Sequence, residues 1–141
     1  MPERSVPPRL LVVATDANTT AQICETGEAS GFTTLVLNRD DALAQTYAEF
    51  CPHAIVIDIA KPGERGFDVL SFLYTQRSAA RVIVLSGMQD FYLKMAEHLG
   101  TALALNIVAV LPKPFLATSL EQVLSTTLRT LPSISLRQSA G

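Results

Sequence analysis

The segment Ala54-Ile-Val-Ile-Asp-Ile59 places the tightest constraint on what this chain can fold into. A strand with one wet face alternates apolar and polar residues, whereas this run is apolar at both parities and needs cover on both sides. Central strands of parallel sheets, flanked by helices, meet that need. Arg81-Val-Ile-Val-Leu-Ser86 and Ile107-Val-Ala-Val-Leu111 have the same character, and Leu10-Leu-Val-Val-Ala14 and Phe32-Thr-Thr-Leu-Val-Leu37 read as two further strands.

Helical segments lie between them. The first runs over 21–30 and closes at Gly31, with Gly27 weakening it, and a second over about 41–50 is capped by Asn38 and Asp40 and broken at Cys51-Pro52. Phe67, Leu70, Phe72, Leu73 and Tyr74 recur at helical spacing up to Arg77, and a long helix is expected over about 89–105. A last helix opens on the capping box Thr118-x-x-Glu121 and is stopped by Pro132. Five strands alternating with five helices predict an α/β fold, a doubly wound five-stranded parallel sheet, flavodoxin-like in strand order 2-1-3-4-5, in three α/β/α layers.

At 141 residues the chain has the size of one domain, expected over 9–131, with an N-terminal extension over 1–8 and a flexible tail over 132–141. Its 48% apolar and 17% charged residues favour a packed core over disorder. A net charge of −2 lacks the basic excess of phosphate-backbone binding, so no direct nucleic-acid contact is expected. No apolar run approaches the roughly 20 residues of a membrane span, and the Pro-rich start has no signal-peptide core. With only Cys24 and Cys51, the expected compartment is the reducing cytoplasm.

In doubly wound sheets ligand chemistry gathers at the C-terminal ends of the strands. That rule nominates Asp16, Asp58, Ser86 and Lys113. A carboxylate at the end of a buried strand is costly to hold ionised without cations or hydrogen bonds around it. Asp58, Ser86 and Lys113 together suit aspartyl phosphorylation: the carboxylate is the nucleophile, and the hydroxyl and ammonium hold the phosphoryl oxygens. A divalent cation ordinarily joins such a set.

Three motifs in order, Ile55-Val-Ile-Asp-Ile-Ala-Lys-Pro-Gly-Glu-Arg-Gly66, Val82-Ile-Val-Leu-Ser-Gly87 and Leu111-Pro-Lys-Pro-Phe115, resemble the response-regulator receiver domains of two-component signalling. The likeness covers about residues 9–131. It implies Asp58 as phosphoacceptor, Ser86 and Lys113 as phosphate-binding groups, and Asp58, Asp16 and the backbone carbonyl of Ala60 as metal ligands. It also implies a cis Lys113-Pro114 bond, a histidine kinase or phosphotransfer protein as partner, and an output partner downstream. In the family the first strand ends in two acidic residues, where this chain has Ala14 and Thr15, so Mg²⁺ binding is expected to be weak. The family's aromatic switch position holds Val110.

The stretch from Leu85-Ser-Gly-Met88 to Phe115 is similar to receivers fused ahead of EAL-type phosphodiesterase domains, implying an output domain related to cyclic-di-GMP. The chain itself carries no Glu-Ala-Leu signature. Phe91, Tyr92, Met95, Leu99 and Leu103 offer an apolar surface for a homodimer, because the family associates through its fourth helix, fifth strand and fifth helix.

Two other functions compete. A degenerate receiver would act as a phosphorylation-independent interaction module, on the ground of Ala14, Thr15 and Val110. A flavin carrier would use the hydroxyl-rich loop Thr15–Thr20 before a helix, although the chain has no Trp to stack a flavin. His53 and His98 read as surface or packing residues, and Cys24 and Cys51 as small buried apolar groups.

Overall fold

The computed structural model describes residues 7–14, 16–37, 42–59, 65–87 and 106–131. The helix expected over 89–105, with its aromatic surface, lies outside the described residues, as do Thr15, Ala60, the caps expected at Asn38 and Asp40, and both terminal segments. The elements in order are β1 (Arg9–Val13), α1 (Ala17–Ala29), β2 (Thr33–Val36), α2 (Leu43–Phe50), β3 (Ala54–Ile59), α3 (Arg65–Gln76), β4 (Arg81–Ser86), β5 (Ile107–Leu111) and α4 (Ala117–Thr130). The sheet runs β2-β1-β3-β4-β5 with every neighbouring pair parallel, the order expected from the sequence.

Strand parity sorts the core into two halves. Leu11, Val13, Ile55, Ile57, Ile59, Val82 and Val84 face Val69, Leu70 and Leu73 of α3, with Leu43, Tyr47 and Phe50 of α2 packed alongside. Leu10, Val12, Ala54, Val56, Ile83 and Leu85 face Ile23 of α1 and Leu120 and Leu124 of α4. Residues 54–57 of β3 are fully buried, as a run apolar at both parities requires. The three central strands are therefore fixed from both sides, and what they carry at their C-terminal ends is held on a rigid support.

Four local expectations need correction. The first helix starts four residues earlier than the apolar spacing suggests, at Ala17, because Asp16 caps it: Asp16 Oδ2 accepts hydrogen bonds from the Thr19 N–H at 2.8 Å and Thr19 Oγ1–H at 2.9 Å. Its C-cap is Ser30, with Gly31 just beyond at φ 110°, a conformation that favours glycine. The last helix does not use the Thr118–Glu121 capping box, since it begins at Ala117 behind Leu116, with no side-chain cap bond, and Thr118 already lies inside. The second helix starts at Leu43 behind Ala42, also without a side-chain cap, and ends on Cys51 at φ 51°. Cys51 is exposed there, against the expected burial, while Cys24 is half-buried.

Gly27 has a reason to interrupt α1. It is buried, and a Cβ at this position would lie 2.7 Å from Leu10 Cδ2 and 3.1 Å from Thr34 Cγ2. The absent side chain lets α1 lie close on β1 and β2, which the helix cost of glycine conceals in the sequence.

Candidate functional site

Asp58 stands one residue from the end of β3, in register with Leu85 of β4, and Ser86 closes β4 beside Ile59. Leu85 is in turn in register with Leu111, the last residue of β5, so the chain reaches Lys113 two residues beyond the sheet. The Lys113-Pro114 peptide is cis, as the family resemblance implied. The turn brings the ammonium back over the strand ends, where Lys113 Nζ donates to Asp58 Oδ1 at 2.7 Å.

Burial within the pair is unequal. The Asp58 side chain is 5% exposed and that of Lys113 29%. Ionising a carboxylate this deep requires a close counter-charge, and an N⁺–H···O⁻ contact at 2.7 Å has the length of a charge-assisted bond. The sequence argument that something must compensate Asp58 is met by Lys113.

Ser86 is buried at the end of the adjacent strand. A Cβ built on the following Gly87 would lie 4.0 Å from the Lys113 carbonyl oxygen, which puts the exit of β4 against the lysine turn. Asp16 is exposed, and its carboxyl lies below its ordinary value near 3.8, first through the Thr19 backbone N–H, then the Thr19 hydroxyl, with a further contribution from the Lys113 charge. Asp16 serves as the helix cap at the exit of β1. The cap was readable in Asp16-Ala-Asn-Thr-Thr20, since Asp before a helix accepts from the N–H groups of its first turn.

Val110 lies in register with Val84 and packs on the α2/α3 half of the core, so the switch position carries no ring. His53 Nδ1 accepts from the Arg9 N–H at 3.0 Å, a tie between β1 and β3 at the end of the sheet away from Asp58. His98 lies outside the described residues.

Two of the three comparisons find nothing: no family model matches the chain, and neither does any curated protein. Solved structures match over nearly the whole domain. A signal receiver domain from Vibrio parahaemolyticus superposes with a TM-score of 0.68 at 20% identity, over 88% of this chain and 92% of that one. The fold is that of response-regulator receivers. The receiver domain of NtrX from Brucella abortus (TM-score 0.66, 20% identity, 86% of this chain and 98% of that one) and a response regulator from Thermotoga maritima (0.66, 18%, 89% and 100%) share the receiver fold. Among the described residues, no helix is long and apolar enough to cross a membrane.

The residues of this receiver fold do not suit a divalent cation. Mg²⁺ takes oxygens in near-ideal octahedral geometry. Ala14 at the exit of β1 has no side-chain oxygen to give, Asp16 Oδ2 is engaged by Thr19, and Asp58 Oδ1 by Lys113. No group of three or more His, Cys, Asp or Glu side chains that could hold a metal is present among the described residues. What the site offers is a buried carboxylate, a cation in contact with it and a hydroxyl on the neighbouring strand.

Proposed function

We propose that the chain is a receiver module of two-component signalling in which Asp58 accepts a phosphoryl group. The observation that carries this reading is the 2.7 Å contact between Lys113 Nζ and Asp58 Oδ1 at the C-terminal edge of the sheet. The donor is the phosphohistidine of a histidine kinase or phosphotransfer protein. A carboxylate oxygen of Asp58 attacks phosphorus in line with the P–N bond. That bond breaks, and its electron pair stays on the imidazole nitrogen, which takes up a proton. Lys113 carries three donors and can hold Asp58 and a phosphoryl oxygen together as charge spreads over the transferring group. Ser86 supplies a hydroxyl donor from β4.

The signal passes to a partner or to an output domain, for which the likeness of 85–115 to receivers ahead of EAL-type domains favours one related to cyclic-di-GMP. Val110 deprives the relay of a ring swing, so association with the partner, including self-association, is expected to depend little on the phosphoryl group.

A second reading, a degenerate receiver acting as an interaction module independent of phosphorylation, is favoured by Ala14 and by the engagement of Asp16 as a cap. Beryllofluoride, an analogue of a transferred phosphoryl group, separates the two by amide NMR. Shifts at residues 57–59, 86–87 and 113 in the wild type, absent from Asp58→Asn, support phosphoacceptance. A spectrum unchanged by the analogue leaves the interaction module.

A further inference from the structure

We infer that the Lys113 ammonium is the resident cation of the strand-end pocket and that the unphosphorylated pocket takes no divalent ion. Asp58 is 5% exposed and needs a counter-charge. Either a bound metal ion or a side chain can supply it, and two cations at one carboxylate repel each other.

With Lys113 in place, the remaining ligand set disfavours the metal. Of the side chains at this end of the sheet, Ala14 offers no donor atom, and Asp16 Oδ2 already takes two hydrogen bonds from Thr19 at 2.8 and 2.9 Å. Taking Asp16 from that role would cost α1 its N-cap. Asp58 remains, and its Oδ1 is held by Lys113 at 2.7 Å.

Lys113 already supplies the counter-charge at Asp58, in direct contact with it at 2.7 Å. Its positive charge repels an incoming dication from the same oxygens. The pocket is complete electrostatically without a metal, which goes beyond the phosphoacceptor reading and does not rest on it.

Paramagnetic Mn²⁺, which bleaches amide signals near a bound ion, tests this on the 141-residue chain. In the wild type at millimolar Mn²⁺ or Mg²⁺, no saturable bleaching or shift is expected at residues 14, 16, 57–59 and 113. Lys113→Met, which removes the charge and keeps most of the stem, is expected to show saturable Mn²⁺ bleaching there and a rise in thermal midpoint with Mg²⁺ that the wild type lacks. Saturable bleaching around Asp58 in the wild type overturns the inference, and this arm needs no variant to fold. A Lys113→Met protein that responds to Mn²⁺ and Mg²⁺ no more than the wild type overturns it equally. Phosphoacceptance is read separately, by beryllofluoride response and adduct mass, so either claim can fail alone.

Discussion

Lys113 Nζ lies 2.7 Å from Asp58 Oδ1, and the carboxylate is the deeper partner, at 5% against 29% exposure. The two halves of the pair should therefore cost different amounts to remove. Lys113→Met leaves a buried carboxylate without its cation and is expected to destabilise by about 2–3 kcal/mol, below the full range for a wholly buried pair because water reaches the lysine. Asp58→Asn leaves an ammonium that can turn to solvent, at a cost of about 1 kcal/mol or less. Urea denaturation of both variants and the double variant checks this. Additive losses would mean that the contact contributes nothing of its own, and equal single losses would contradict the unequal burial of the two partners.

Asp16 caps α1 through Thr19, and its carboxyl sits below the ordinary value near 3.8 because those hydrogen bonds and Lys113 favour the charged form. A group with a lowered folded-state pKa stabilises fully above its unfolded value and ceases to do so as pH falls through the folded one. The thermal-midpoint advantage of wild type over Asp16→Ala should thus be constant near neutrality and shrink below about pH 4. An advantage that persists unchanged into strong acid contradicts a charged cap.

At Gly27 helix propensity and packing pull in opposite directions. Alanine gains about 1 kcal/mol of propensity, yet its methyl would sit 2.7 Å from Leu10 Cδ2, in a core where overpacking costs about 1–3 kcal/mol. The expected net result for Gly27→Ala is a loss of about 1 kcal/mol, partly recovered when combined with Leu10→Val. Stabilisation by Gly27→Ala alone would refute the close approach of α1 to β1.

The two thiols should differ in reactivity. Burial pushes the Cys24 thiol above its ordinary value, while Cys51 is exposed at the end of α2. The thiolate is the reactive form, so Cys51 is expected to react with an alkylating reagent well before Cys24 at neutral pH. Mass spectrometry of peptides over a time course reads the order, and faster labelling of Cys24 contradicts it.

The legible parts of this fold were those where burial alone selects the residue. β3, β4 and β5 match their apolar runs to the residue, since a strand covered on both faces admits no polar interruption. Helix starts were less legible. The turn Ala17–Thr20 carries no apolar signal, so the cap at Asp16, not periodicity, marks where α1 begins, while Thr118 and Glu121 fit a capping box by spacing yet fall inside α4. Asp58 and Lys113, 55 residues apart, could be paired because both follow strands that end at one edge of the sheet. The packing role of Gly27 depends on Leu10 and Thr34, which no local pattern connects to it.

Intact-mass measurement after incubation with a small phosphodonor such as acetyl phosphate tests phosphoacceptance most directly, with borohydride reduction to map any acyl phosphate. The account predicts one phosphoryl group on the wild type, mapped to Asp58, with Asp58→Asn unlabelled and Lys113→Met labelled far more slowly. A wild type that stays unlabelled by acetyl phosphate, by phosphoramidate and by a phosphorylated phosphotransfer protein contradicts it, as does labelling that survives in Asp58→Asn.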